Sequence, residues 1–355
     1  MMAAGAPLRA RLEAWLQRHW WRSSVSLPMQ LLRPLSWLLG ALLALRRATR
    51  RAPAALPVPV VVVGNLIVGG AGKTPTVLAV VQALRAAGWR PGIVSRGHGR
   101  SADGVHAVQP GSTAAAVGDE PLLLRRRSGV PVWVGRQRVA AARALLAAEP
   151  AVDVLVSDDG LQHHALPRAV ELIVFDERGA GNGLLLPAGP LRQPLPAALQ
   201  PRQLLLYNAP RPSTALPGAL AARRLGSAVP LADWHAGHAA GATALAALRG
   251  RPLLAAAGIA APQRFFAMLE AAGLQLQPPP LALPDHHDYA SLPWPAGTPD
   301  VVVTEKDATK LLPGRAGATR VWVVGLDFAL PDAVLQPLLR HMGPPPLPPP
   351  PTAPP

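Results

Sequence analysis

Four consecutive valines, Val60–Val63, run into a glycine-rich loop that closes on Gly72-Lys73-Thr74, and a helix-patterned stretch follows at once. An unbroken β-branched run suits a strand buried on both faces, as in a parallel sheet. Beyond the loop, Val77, Leu78, Val81 and Leu84 recur at helical spacing, and Gly88 offers a C-terminal stop. Pro75 is expected at the first helical position, where its missing N–H costs nothing. Strand, glycine loop and helix N-terminus in that order constitute a phosphate-binding loop. Backbone N–H groups cradle the phosphates, Lys73 reaches their outer oxygens and the Thr74 hydroxyl holds Mg²⁺. Ile67 stands where the usual pattern has its first glycine, so Gly69-Gly70-Ala71-Gly72-Lys73-Thr74 is nearer the Gly-Gly-x-Gly-Lys-Thr variety.

Lys73 is conspicuous for a second reason. The chain holds 32 arginines and only three lysines, Lys73, Lys306 and Lys310. Arginine supplies the same charge, but its rigid fork needs more room than a point-like ammonium. A lysine kept inside a glycine loop therefore marks a place where reach and size count.

The length of 355 residues suits about two domains plus extensions. The absence of cysteine excludes disulfides, thiolate nucleophiles and Cys–zinc sites. The formal charge of +15 is unevenly spread: Met1–Arg51 carries nine arginines against one glutamate. Within that segment Leu35–Leu45 is almost wholly apolar and includes Trp37, but it falls short of the about 20 residues a spanning helix needs. Arg46, Arg47, Arg50 and Arg51 follow it, and Arg18, Arg22, Trp15, Trp20 and Trp21 precede it. Basic residues beside a Trp/Leu surface fit helices lying in the headgroup region of an anionic membrane. No nucleic-acid motif accompanies the charge, so no nucleic-acid partner is expected.

From Pro57 to about Asn208, apolar runs at Val60–Val63, Gly92–Val94, Val130–Val134, Val152–Val156, Ile173–Phe175 and Gln203–Leu206 alternate with helical stretches. That rhythm predicts an α/β fold of the P-loop NTPase type, a doubly wound, mostly parallel sheet with its site at the strands' C-terminal ends. A Pro- and Ala-rich stretch near Pro210–Pro230 interrupts it. A second, smaller α/β unit follows, with strands at Leu253–Ala257, Val301–Val303 and Val321–Val324 and a helix near Pro262–Ala272. The expected division is 1–51 for interfacial helices, 52–230 for the P-loop core, 231–342 for the smaller domain and 343–355 for a proline-rich tail.

Several carboxylates stand where chemistry would need them. Val152–Val156 ends in Ser157-Asp158-Asp159-Gly160, and phosphate-loop enzymes place an acid beside Mg²⁺ by such a strand. Adjacent carboxylates repel unless a cation intervenes, which suits a metal site. Gly118-Asp119-Glu120-Pro121 puts two acids in a short loop ahead of a helix, where acids also serve as caps. Transfer to a hydroxyl needs a group to take its proton, so Asp119 is a candidate base and Glu120 a candidate metal-associated acid. His163 and His164 lack the company of a zinc site. Asp285-His286-His287-Asp288-Tyr289 suits a metal site, a proton relay or a capped turn, and spacing does not choose among them. Arg192, in Gly189-Pro190-Leu191-Arg192, offers a fork for a substrate phosphate.

Taken in order, eight stretches resemble one family. They are Val63-Gly64-Asn65 through Pro75, Ser95-Arg96-Gly97, Gly118–Pro121, Asp158-Asp159-Gly160-Leu161-Gln162-His163, Asn182-Gly183 with Leu186–Arg192, Gly258-Ile259 with Pro262 and Phe265, Asp285-His286, and Thr304-Glu305-Lys306-Asp307. Together they resemble the tetraacyldisaccharide 4′-kinases, the lipid A 4′-kinases of Gram-negative bacteria, over roughly residues 30–330. The resemblance implies ATP- and Mg²⁺-dependent phosphorylation of the 4′-hydroxyl of a tetraacylated glucosamine disaccharide 1-phosphate, giving lipid IVA. It also implies a peripheral enzyme on the cytoplasmic face of the inner membrane, with the acylated lipid and an anionic membrane surface as partners. It sets no oligomeric state.

Carried over by position, Ile67, Val68, Gly69, Gly70, Ala71, Gly72, Lys73 and Thr74 would wrap the ATP phosphates, with Lys73 counted as catalytic. Asp119 would be the base, supported by His286. Thr74, Glu120, Asp158 and Asp159 would lie at the metal, and Gln162 and Arg192 on the substrate side. His98 stands where the family often has Tyr, and Gln193 where it often has Glu. The main competing reading is a switch ATPase, but those commonly carry a further lysine at the loop's start, where this chain has Ile67 and Val68.

Overall fold

The computed structural model describes residues 8–49, 52–237 and 242–346; Arg50, Arg51, the first seven residues and the proline tail from 347 onward lie outside the described residues. Two helices open the chain, α1 (Leu8–Trp20) and α2 (Leu27–Ala48). The first sheet has eight strands: β1 (Val60–Gly64), β2 (Pro91–Ser95), β3 (His106–Ala107), β4 (Val132–Val134), β5 (Val154–Asp158), β6 (Val170–Asp176), β7 (Gln203–Asn208) and β8 (Ala219–Leu220). Their spatial order is β3-β4-β2-β5-β1-β6-β7-β8, with only the β3–β4 pair antiparallel. The helices among them are α3 (Lys73–Ala86), α4 (Ala114–Val117), α5 (Asp119–Ser128) and α6 (Arg138–Ala148).

The valine run shows why the sheet is wound on both faces. Val61 and Val63 point into one apolar cluster with Val77, Val80, Val81 and Leu84 of α3. Val60 and Val62 point into the opposite cluster with Ala141, Ala142 and Leu145 of α6. All four valines are essentially inaccessible to solvent, as the two-fold side-chain alternation of a strand covered on both sides requires.

A six-stranded second sheet contains β9 (Ala222–Pro230), β10 (Pro252–Ala257), β11 (Gln275–Leu276), β12 (Leu281–Ala282), β13 (Asp300–Thr304) and β14 (Arg320–Ala329). Strand β14 pairs β13 in parallel and β9 antiparallel. Helices α7 (Leu231–His235), α8 (Ala242–Ala247), α9 (Pro262–Ala271) and α10 (Glu305–Ala308) belong to this unit, and α11 (Asp332–Met342) ends the described chain.

Three expectations need correction. The boundary at residue 230 cuts on the wrong side of β9, which pairs with β14 in the second sheet; its Ala-Arg-Arg-Leu-Gly-Ser sequence lacks the apolar run of a central strand. Helix α11 returns to the first unit, where Val334, Leu338 and Met342 join the α3 cluster. Pro75 is the third helical residue, because Gly72 is the N-cap and α3 starts at Lys73; its N–H would still have been one of the four without an intrahelical partner.

The N-terminal helix also differs from its expected extent. The apolar run Leu35–Leu45 is part of a helix of 22 residues, long and apolar enough by length and composition to cross a membrane. It continues through Pro34, which lies just ahead of the apolar run. One side of α2 docks on the first unit: Met29 is fully buried, and the Ser36 hydroxyl donates to Leu185 O (2.7 Å) and accepts from Ala188 N (3.1 Å). The other side leaves Leu31, Leu35, Trp37, Leu38, Leu42 and Leu45 exposed.

Candidate functional site

The loop between β1 and α3 is built so that its carbonyls are occupied from behind. Gly69 O accepts from Asn65 Nδ2 (3.0 Å), Gly70 O from Arg178 (2.8 Å) and Ala71 O from Asn208 Nδ2 (3.0 Å). The first amides of α3 have no intrahelical acceptor, and the helix dipole adds partial positive charge at the same end. Gly72 holds the loop's tightest point: its φ is +83°, and a Cβ there would lie 1.6 Å from Asn208 Nδ2. Such a cradle fits a polyphosphate. Its wall in the cleft between the two sheets begins at Gly70 and runs through Thr74 and Pro75. Ile67 lies behind it, wholly buried and bridged to Leu191, and Val68 N donates to Pro190 O (2.9 Å). These two residues, expected among those that wrap phosphate, pin the loop to the Leu186–Arg192 segment.

Four carboxylates gather around this loop. Strand β5 lies beside β1 with Asp158 opposite Val63, so the sheet itself sets Asp158 next to the loop's root. Ser95 at the end of β2 donates to Asp158 Oδ2 (2.8 Å), while Oδ1 is buried without a partner. Burial, with Glu120 and Asp159 nearby, pushes the Asp158 carboxyl above its ordinary range. Asp159 adopts the left-handed region (φ 48°), uncommon for a non-glycine residue. Burial acts to raise its carboxyl, but Lys73 at 3.8 Å and the fork of Arg192 (2.7 and 3.1 Å) outweigh that and bring it down to about 2. The guanidinium expected to grip a substrate phosphate is thus engaged on Asp159. Gln162 donates to Asn65 O (3.1 Å) and Gln193 Oε1 (3.3 Å) beside it.

Asp119 and Glu120 form the first turn of α5 rather than a loop ahead of it. Gly118, at φ 95°, precedes them, and a Cβ there would stand 3.0 Å from His98 O and 3.2 Å from Gly97 Cα. The Ser95-Arg96-Gly97 and Gly118–Pro121 motifs therefore pack back to back. Across the cleft, the second sheet answers with cations. His286 Nδ1 lies 2.9 Å from Asp119 Oδ2, and Lys310 Nζ 3.4 Å from the same oxygen. Lys306 Nζ reaches Glu120 (3.3 Å), Asp285 (3.1 Å) and His286 Nε2 (3.3 Å). An imidazole with Nδ1–H on Asp119 and its Nε2 lone pair toward Lys306 satisfies both contacts.

Burial works against the charge on Asp119, yet the His286 hydrogen bond and the ammoniums of Lys306 and Lys310 hold its carboxyl well below the usual range. Reciprocally, the bond to Asp119 raises His286, against burial and Lys306. The stability this pair gives through His286 is therefore full below pH ~6.5 and fades as pH rises through the higher folded value. An NMR titration is expected to place the His286 imidazole above the ordinary histidine pKa of about 6.5. Asp119→Asn keeps an oxygen for that bond but removes the carboxylate charge that favours the imidazolium, so it should lower the His286 pKa; an unmoved titration would separate the two residues.

Asp285-His286-His287-Asp288-Tyr289 is thereby resolved as a partner of Asp119 across the cleft. His286 takes φ 60°, and its N–H donates to Gly258 O (3.2 Å). Gly258 N in turn donates to Asp307 Oδ1 (3.0 Å), and Thr304 Oγ1 to Asp307 Oδ2 (2.6 Å). The Gly258 and Thr304–Asp307 motifs are thus the frame that aims His286. His163 accepts the backbone N–H of Arg138 (3.1 Å), a structural task.

Sequence reasoning passed over Asn208, Arg178, Arg223 and Arg264. Arg178 pairs with Asp176 (2.7 Å), holds Gly70 O and lies over the Trp21 ring (4.3 Å); Arg264 donates to Asn208 O (3.1 Å). Among 32 arginines no local signal sets these apart. The cleft's far end is apolar, lined by Leu78, Leu225, Ile259, Phe265 and Met268. Among the described residues no group of three or more His, Asp or Glu could hold a metal alone. Magnesium is usually held by one or two carboxylates together with substrate phosphates, so Thr74, Glu120, Asp158 and the orphaned Asp158 Oδ1 fit that ion in company with a nucleotide.

A family model described as tetraacyldisaccharide-1-P 4′-kinase matches residues 28–343. The chain is 58% identical over 334 residues to the tetraacyldisaccharide 4′-kinase of Methylibium petroleiphilum, covering 91% of this chain and 92% of that one. It is 55% identical over 340 residues to the tetraacyldisaccharide 4′-kinase of Leptothrix cholodnii, covering 94% and 97%. Among solved structures, LpxK from Aquifex aeolicus in complex with ATP matches with a TM-score of 0.70 at 25% identity, covering 89% of this chain and 100% of that one.

Proposed function

The chain belongs to the tetraacyldisaccharide 4′-kinase family, and we propose that its inter-sheet cleft moves the γ-phosphate of ATP onto the 4′-hydroxyl through the Asp119–His286 pair and the Lys73 loop. It is an ATP- and Mg²⁺-dependent kinase of lipid A biosynthesis. The observation that carries the residue assignment is the 2.9 Å contact of His286 with Asp119, made across the cleft from the phosphate loop's own sheet.

In this reading the amides of Gly70–Thr74 and the Lys73 ammonium hold the phosphates, and the apolar end of the cleft takes the nucleotide base. Magnesium, when bound, offsets charge between the outer phosphates; Thr74, Glu120 and Asp158 would hold it. Asp159 stays ionised between Lys73 and Arg192 and keeps Lys73 in place. Asp119 accepts the hydrogen bond of the attacking hydroxyl and takes its proton as the new P–O bond forms. A carboxylate held so low is a weak base, which suits the loose transition state of phosphoryl transfer, where orientation outweighs early proton removal. His286 fixes the carboxylate's direction. ATP consumption that depends on the acylated disaccharide supports the kinase; lipid-independent hydrolysis at the same rate would instead point to a switch ATPase.

The membrane reading rests on α2. Its 22 residues extend about 33 Å. Met29 and Ser36 face the protein while Leu31, Leu38, Leu42 and Leu45 face away, with Arg33, Arg46 and Arg47 on the same helix. A helix docked on one side and apolar on the other suits an element lying in the headgroup region of an anionic inner-membrane surface, on the cytoplasmic side where ATP is found. An acceptor bearing four acyl chains stays in the bilayer, so the enzyme must come to it. Leu31→Glu with Leu38→Glu is expected to lower sedimentation with anionic vesicles at least tenfold while leaving ATP binding unchanged. Undiminished sedimentation would remove α2 from that role.

A further inference from the structure

All three lysines of the chain end on carboxylates of one site. Lys73 lies 3.8 Å from Asp159, Lys306 3.3 Å from Glu120 and Lys310 3.4 Å from Asp119. Ion pairing as such does not call for lysine in this protein, because among the described residues arginine makes such pairs elsewhere, as in Arg90–Asp153, Arg127–Glu305 and Arg320–Asp300. What lysine offers and arginine does not is a compact ammonium that fits where a planar fork cannot.

Lys306 stands in the first turn of α10, on the second sheet, and its side chain forms a wall of the cleft together with Gly70–Thr74 and Glu120. Only 16% of it is exposed. Two carboxylates and an imidazole nitrogen surround the ammonium within 3.3 Å. The frame beneath it is rigid, since Thr304 and Asp307 cap α10 and tie it to Gly258. We propose that Lys306 is a second phosphate-directed lysine, brought across the cleft from the second sheet to the outer oxygens of the phosphoryl group in transfer.

This rests on the kinase reading above and adds a catalytic residue to it. As the oxygen of the 4′-hydroxyl bonds to phosphorus, the bond from phosphorus to the bridging oxygen breaks and ADP leaves with that electron pair. The hydroxyl proton goes to Asp119. Charge on the oxygens of the transferring group is then met by Lys73 from one side and Lys306 from the other. Glu120 and Asp285 hold the Lys306 ammonium at the cleft wall until an anionic phosphoryl group competes for the same donors. Such a contact begins on the γ-phosphate of bound ATP and strengthens where charge is carried in the transition state, so its loss lowers turnover more than ground-state affinity.

The test compares the affinities of the full-length protein for ATP and for ADP, with Mg²⁺, together with turnover on the acylated disaccharide. Lys306→Ala is expected to weaken ATP about tenfold more than ADP, and to lower kcat at least about a hundredfold. Lys306→Arg, which keeps the charge, is expected to recover less than a tenth of the wild-type kcat. An unchanged ATP-to-ADP ratio in Lys306→Ala, or an arginine variant with wild-type turnover, overturns the proposal and leaves Lys306 a structural ion pair. If the alanine variant loses ADP affinity as well, the arginine variant decides by the same ratio. Wild-type protein that phosphorylates no lipid would refute the kinase reading separately, since the nucleotide ratio is measured without acceptor.

Discussion

Asp119→Asn is expected to bind ATP with near wild-type affinity and to turn over at least about a hundredfold more slowly. The change preserves shape and leaves an oxygen for the His286 hydrogen bond, but it removes the charge that receives the hydroxyl proton. It also strips Lys310 of its 3.4 Å partner. Asp119 lies at the N-terminus of α5 and Lys73 at that of α3, on different elements of the first unit. Nucleotide binding should therefore survive a loss of chemistry. Turnover above a tenth of wild type would take the base's role away from Asp119.

The second large effect is at the phosphate loop. Gly72→Ala should weaken ATP at least about a hundredfold and cost the fold on the order of 2–4 kcal/mol. The φ of +83° penalises any L side chain, and the methyl would meet the amide of Asn208 at 1.6 Å. Asn208 cannot yield cheaply, because it is buried and its Nδ2 holds Ala71 O. Relief has to come from the loop backbone, which is the cradle itself. Gly111→Ala, at an exposed turn with nothing within 4 Å of the added carbon, should change neither quantity. Denaturant unfolding and ATP titration of both variants check the pair, and a Gly72→Ala protein binding ATP within tenfold of wild type would contradict the account.

Much of the first sheet was legible because its information is local. Val60–Val63, Val152–Val156 and Ile173–Phe175 are short, β-branched-rich apolar runs that suit a strand buried on both faces, and each lies within a strand or within two residues of one. Strand β9 was not legible: it is an edge strand in which two adjacent arginines and several small residues leave no apolar run, and its partner β14 lies about a hundred residues on, with a register shift between Val324 and Leu326. The site divides in the same way. Lys73, Thr74 and Asp158 announce themselves by loop and strand grammar. The roles of Lys306 and Lys310 depend on pairing across 186 and 191 residues, which no window of sequence contains. Their rarity beside 32 arginines was the available signal. Arg192 is ambiguous for a related reason: a fork that suits phosphate suits a carboxylate equally, and here it rests on Asp159.

Charge balance unites these parts. Asp119, Glu120, Asp158 and Asp159 would repel one another in a desolvated cleft. Lys73 and Arg192 quiet one of them, His286 and Lys310 another, and Lys306 a third. Asp158 alone keeps an unpartnered buried oxygen, at the place where a cation brought by the nucleotide would be received.

The most direct test of the whole account is to follow where the phosphate goes. Purified protein, Mg²⁺-ATP and a tetraacylated glucosamine disaccharide 1-phosphate in mixed micelles should yield one ADP per lipid converted. Phosphorus NMR of the lipid should show a single new monoester on the 4′-oxygen. ADP formed without a new lipid phosphate, or a phosphate placed at any other hydroxyl, would contradict it.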